Sequence, residues 1–184
     1  MVAGAGAGTG RSGSGSGEKT GRGLSEGHET LGGPAPDRKA ASVTATDRSI
    51  ELTRTAAQAA ADKLAHDIIA YDVSDVLSIT DTFLVASAPN DRQVKAIVDG
   101  IEETLSKELD VKPVRREGER DGRWVLLDYI DIVVHVQHSE ERVFYALERL
   151  WKDCPEISLP EDATATRGKA AAHARAAAAE DEGA

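Results

Sequence analysis

The sequence predicts a small α/β sandwich built on a mixed five-stranded sheet, and three observations carry that expectation. Apolar residues recur at helical spacing in three stretches and at strand spacing in five, in the order helix, two strands, helix, three strands, helix. The run Phe83-Leu84-Val85-Ala86-Ser87-Ala88 is almost continuously apolar, as a strand covered on both faces must be. The pattern is also bounded. Residues 1–46 hold twelve of the seventeen glycines and no aromatic, and 161–184 is Ala-rich and ends Glu-Asp-Glu-Gly-Ala. Neither end carries enough apolar surface to offset the entropy of ordering, so both are expected as disordered tails around one domain at 47–160.

Each element has a local reason. The first helix starts at Asp47 to Ser49, either able to cap it, and carries Leu52, Ala56, Ala60 and Leu64 at intervals of four before ending at Tyr71-Asp72. Val73 to Ile79 alternates with a period of two and reads as a strand, closed by a turn at Thr80-Asp81. Phe83 to Ala88 follows as the second strand. Pro89-Asn90-Asp91 starts the second helix with Asn90 as its cap, and Val94, Ile97, Val98, Ile101 and Leu105 form its stripe. Val111 to Arg116 is a short strand, Glu117 to Gly122 supplies turn residues, and Trp124 to Asp128 and Ile132 to Gln137 flank the corner Tyr129-Ile130-Asp131. A branched residue at position 130 argues against a positive-φ corner there. Ser139 caps the last helix, whose buried face is expected to carry Val143, Leu147, Leu150 and Trp151, and Pro155 stops it.

Charge narrows the range of partners. The chain carries a formal net charge of −10, and residues 47–160 hold fourteen basic against twenty-three acidic residues. Such a domain repels phosphate backbones, which disfavours direct nucleic-acid binding, and its field steers basic proteins toward it. Ribosomal proteins and histones are the abundant basic classes. The lone Cys154 rules out an intrachain disulfide and fits a reducing cytosol. No apolar run approaches ~20 residues, and the N-terminus lacks the features of a secretory signal, so the expectation is a soluble cytoplasmic protein without a membrane partner.

The residues that could do chemistry do not assemble into a catalytic pattern. Asp131 and His135 share a strand face but stand about 13 Å apart at ~3.3 Å rise per residue, too far to ligate one metal directly. Asp128 and Asp131 flank a corner, where aspartates bond backbone amides, and no positioned nucleophile accompanies them. Ser87-Ala88 sits where a phosphate-gripping loop would lie, yet no glycine is there and Pro89 removes a donor. Cys154 reads as a small apolar filler. Five of the seven aromatics instead lie between Trp124 and Trp151, interleaved with carboxylates and a histidine. Rigid aromatics beside charge are the makings of a protein-binding surface, with Trp124 at a strand's rim, Tyr129 at a corner expected to face outward, and Tyr145 and Glu148 on one helix side.

Several of these segments together resemble the ribosomal silencing factor (RsfS/Iojap) family. They are Ser78-Ile79-Thr80-Asp81 before an apolar strand, Arg92-Gln93 and Ala96-Ile97, Glu117-Gly118, Trp124-Val125-Leu126-Leu127-Asp128-Tyr129, Asp131-Ile132-Val133-Val134-His135-Val136, and Arg142, Tyr145 and Leu147-Glu148-Arg149-Leu150-Trp151. The resemblance spans roughly Ser49 to Trp151, and Ile130 departs from it, standing where the family commonly has glycine. It implies a nucleotidyltransferase-like fold without the catalytic Gly-Ser and paired aspartates, and no cofactor. It further implies a non-enzymatic repressor that binds a basic large-subunit ribosomal protein, the fourteenth, on the intersubunit face and blocks subunit joining. By position the resemblance carries partner contact onto Trp124, Leu127, Asp128, Tyr129, Asp131, His135, Tyr145 and Glu148. A metal-dependent, nucleotidyltransferase-like enzyme using Asp128, Asp131 and His135 is the competing reading. Homodimerisation through a sheet edge or helix stays open.

Overall fold

The computed structural model describes residues 42–169 and Ala172; the expected N-terminal tail up to residue 41, and most of the C-terminal one, lie outside these. The elements are α1 (Asp47–Asp62), β1 (His66–Asp72), β2 (Thr82–Ala88), α2 (Asp91–Leu109), β3 (Arg115–Glu117), β4 (Trp124–Asp128), β5 (Ile132–His138), α3 (Ser139–Tyr145), a 3-10 turn at Leu147–Arg149 and α4 (Glu161–Thr164). The sheet runs β1-β2-β5-β4-β3. Among the described residues only β2 and β5 pair in parallel and the other three strand pairings are antiparallel, so the sheet is mixed as expected.

One face of this sheet carries α1 and α2. Strand alternation sends Leu84, Ala86, Ile132, Val134 and Val136 to that side, where they are fully buried with Leu52, Ala56 and Ala60 of α1 and Val94, Ile97, Ile101 and Leu105 of α2. The small alanine face lets α1 lie close to the strands. Asn90 caps α2, its side chain accepting from the Gln93 amide, and the helix ends on left-handed Asp110. Among the described residues no helix is long and apolar enough to cross a membrane.

The first strand lies elsewhere than the sequence suggests. α1 ends at Asp62, Leu64 adopts φ +59°, and His66–Asp72 is strand, whereas Val73 to Asp81 forms turns that leave Val76 and Ile79 exposed. Leu64, assigned to the helical stripe, is solvent-exposed. The alanine period hides the helix end, and the alternation of Ser74, Val76 and Ser78 comes from a turn held by side chains.

Two carboxylates do the holding. Asp72 Oδ2 accepts from the Thr44 and Ala45 amides, and its Oδ1 accepts from the Ser74 amide and hydroxyl. Asp81 Oδ2 accepts from the Ser49 hydroxyl at 2.6 Å and from the Thr46 amide and hydroxyl. Thr46, not Asp47 or Ser49, is the cap of α1. Burial alone would raise the Asp72 pKa, but its hydrogen bonds outweigh this and hold it below the ordinary carboxylate value; the Ser49 hydroxyl leads the same effect at Asp81. Depressed folded values mean that this stability is present above the unfolded pKa and is lost as pH falls through the folded one. The thermal midpoint is therefore expected to drop from about pH 4 downward. Asp72→Asn should be less stable at neutral pH with a flatter acid limb. Parallel acid limbs in melting curves of the two proteins would refute that assignment.

The C-terminal boundary also needs correction. Beyond Pro160, expected to begin a disordered tail, α4 packs Ala163 fully into the core, and the buried Thr166 accepts from the Ile68 amide through its hydroxyl and from the Asp67 amide through its carbonyl. The Pro155 carbonyl accepts from the Asp72 amide, and the Ile157 amide donates to the Ala70 carbonyl. This segment covers the outer edge of β1, which would otherwise expose a row of unpaired backbone groups.

The β4–β5 corner is a second correction. Ile130 has φ +72°, the conformation its branched side chain was expected to exclude, and it is 59% exposed. The corner is tied from both sides: Asp128 Oδ1 accepts from the Ile130 amide, and the Tyr129 amide donates to Ile132. This over-determines a backbone that costs a branched residue roughly 1–2 kcal/mol. Ile130→Gly is expected to raise stability by about 1 kcal/mol, a few degrees in Tm, since glycine relieves the strain at some entropic cost. A lower Tm would count against it.

Candidate recognition face

The sheet face opposite α1 and α2 is the candidate site. By register its rows are Ser87, Gln137 and Trp124, then Ile69, Val85, His135 and Leu126, then Tyr71, Phe83, Val133 and Asp128. Among the described residues α3, the 3-10 turn and Trp151 lean over it. Aromatic rings run across these rows in an unbroken chain. Trp151 packs on Phe83 at 5.0 Å between centroids, Phe83 meets His135 edge-on at 5.4 Å, His135 meets Trp124 at 6.0 Å, and Trp124 meets Tyr145 at 5.0 Å. Phe144 closes the series against Tyr145 and is 79% exposed. Rings held on three strands and a helix form a rigid surface, the form in which aromatics bind partners at low entropic cost.

Polar groups lock this surface in place. Trp124 Nε1 donates to His135 Nδ1 at 3.2 Å, and burial pushes the His135 pKa down to about 4, so the ring is neutral at physiological pH and available as acceptor. Arg123 pairs with Glu140 and Glu141, tying the start of β4 to α3. Arg142, nearly buried, donates to Glu148 at 2.6 Å. Shallow depressions of about 290 and 370 Å³ flank the Trp124–Tyr145 ridge, one lined by Glu117, Gly118, Trp124 and Leu126, the other by Arg123, Glu140, Glu141, Phe144 and Tyr145.

The residues expected to meet a partner divide between the two faces. Trp124, Asp128, His135, Tyr145 and Glu148 all lie on or over the open face. Leu127 and Tyr129 do not. Alternation along β4 turns Leu127 to the helix side, where it is 0% exposed, and Tyr129 is 4% exposed in the same core, its hydroxyl pKa raised by burial and by nearby Glu102. A partner cannot touch either side chain in this structure. Asp131 stands at the sheet's end, paired with Arg48 at 3.6 Å. The sequence reading missed Leu126 and Phe83, although Leu126 is two residues from Trp124 and period two alone places it on the same face. Among the described residues no three His, Cys, Asp or Glu side chains gather to hold a metal ion.

Comparison with known proteins decides the family. Residues 46–184 match the family model described as ribosomal silencing factor during starvation. The chain belongs to that family. It is 40% identical over 108 residues to the ribosomal silencing factor of Bacillus subtilis, covering 59% of this chain and 91% of that protein. To the silencing factor of Halalkalibacterium halodurans it is 38% identical over 109 residues, 59% of this chain and 92% of the relative. A crystal structure from Chromobacterium violaceum superposes with a TM-score of 0.53 at 38% identity, covering 55% of this chain and 84% of that one. The family thus places the chain among regulators that silence ribosomes, and the match continues through α4 and beyond it.

Proposed function

We propose that this silencing factor acts without turning over a substrate. It binds a basic protein of the large ribosomal subunit, the fourteenth by family resemblance, on the intersubunit side, and so obstructs joining of the small subunit and lowers translation. The observation that carries this reading is the aromatic ridge Phe83–His135–Trp124–Tyr145 on a chain of net charge −10. The ridge offers desolvated anchors, and the acidic balance speeds encounter with a basic surface and sets its orientation. Trp124, Leu126, Asp128, His135 and Tyr145 form the contact set, with Glu148 placing α3 and Asp131 at its margin.

Sedimentation tests this. Added to separated subunits under joining conditions, the chain should co-migrate with large subunits and deplete joined ribosomes, and the effect should weaken as salt rises. Unchanged profiles at saturating chain would overturn the proposal.

A further inference from the structure

The last helix expected from sequence, Ser139 to Trp151, is broken in the middle. α3 ends at Tyr145, Ala146 takes φ 43° and ψ 55°, and a 3-10 turn follows. Alanine has the highest helix propensity of all residues and is disfavoured in the left-handed region, so local preference opposes this break. The break also leaves Val143, Phe144 and Leu150 exposed. The Arg142–Glu148 pair spans it. Six residues apart, these side chains would lie about 9 Å along and about 120° around a continuous helix, so the clasp and the helix exclude one another. The clasp is imperfect: Arg142 Nη1, Glu148 Oε2 and both side-chain polar atoms of Gln137 are buried without hydrogen-bond partners among the described residues. A continuous helix would instead align Val143, Leu147 and Leu150 in one stripe and bring Glu148 beside Lys152 at the favourable i, i+4 spacing.

We infer that Ala146 is the hinge of a two-state lid. In the closed state seen here, the clasp folds the 3-10 turn and Trp151 down onto Phe83. In the open state residues 139–153 run as one helix, the clasp is released, and Phe83 with its neighbours on β2 and β5 is uncovered. The lid thereby sets how much of the open sheet face a partner can reach. The inference concerns the chain's own conformations and does not depend on which partner that face meets.

The test uses the full chain carrying Trp124→Phe, so that Trp151 is the sole tryptophan. Glu148→Gln and, separately, Ala146→Val, which a left-handed backbone resists, should each raise acrylamide quenching of Trp151 at least threefold. Amide exchange at residues 148–152 should slow in the same variants as helix forms. Ala146→Gly, which relaxes the break, should leave Trp151 shielded. If Ala146→Val fails to fold, Glu148→Gln decides alone. Trp151 remaining shielded in the folded variants would overturn the lid, and so would exposure with faster amide exchange, since that is unravelling and not a second state.

Discussion

Replacing Trp124 with alanine is expected to weaken capture of large subunits about 30-fold or more, the effect of losing one hot-spot anchor of roughly 2 kcal/mol. Three features single this residue out. Its indole is the middle of the ring chain, touching both His135 and Tyr145, so truncation loosens two neighbours as well as removing its own area. It donates to His135 Nδ1, leaving a buried neutral imidazole without its partner once the indole is gone. It also stands between the two shallow depressions that shape the ridge. The backbone of β4 is held by pairing with β3 and β5, and the α1–α2 core lies on the other side of the sheet, so the variant should still unfold cooperatively. Asp128→Arg tests the electrostatic half by reversing a half-buried charge on the same face. It should slow association most at low salt, where a basic partner feels the field farthest. Joined ribosomes should persist when either variant replaces the parent protein in gradients. Full depletion by both folded variants would remove this face from the mechanism.

The sequence was informative where one signal acted alone and misleading where two coincided. α2 was legible because Asn90 and the 3.6-residue stripe agree, and β2, β4 and β5 followed from short apolar runs between turn residues. The α1–β1 boundary was not, since alanines satisfy a helical stripe and tolerate a strand alike. The helix stop is a left-handed Leu64, which carries no glycine or proline to announce it. β1 itself is stabilised from outside, by Pro155, Ile157 and Thr166 contributed some ninety residues later. No local pattern can contain that information. The same holds for Ile130: a residue type that resists positive φ was read as forbidding it, yet bonds to Asp128 and across the corner impose it. For the candidate recognition face, the stretch singled out in the sequence contributes to both sides of the sheet. Leu127 and Tyr129 were separable from Leu126 by period two alone, whereas the contribution of Phe83, from another strand, needed the parallel β2–β5 register.

Gly118 ties this fold to its face, and Gly118→Ala is expected to cost about 3 kcal/mol or more, a fall in Tm on the order of 10 °C. A Cβ at position 118 would lie 1.8 Å from the Trp124 carbonyl oxygen, so the backbone itself must move. The residue also has φ +80°, which alone costs alanine roughly 1–2 kcal/mol. Two other glycines isolate the two contributions. Gly122 has φ +64° with nothing nearer than 3.6 Å to an added Cβ, and Gly168 has φ +81° with nothing within 4 Å. Alanine at either should therefore cost only the backbone term. The excess at Gly118 measures how tightly the β3–β4 hairpin closes over the carbonyl of Trp124. Because the atom displaced belongs to the central residue of the ridge, Gly118→Ala should weaken subunit capture as well, even below its own melting temperature. Gly122→Ala and Gly168→Ala should leave capture unchanged. Equal Tm losses at all three glycines, or a Gly118 variant that melts early yet binds normally, would show that the hairpin yields without moving Trp124.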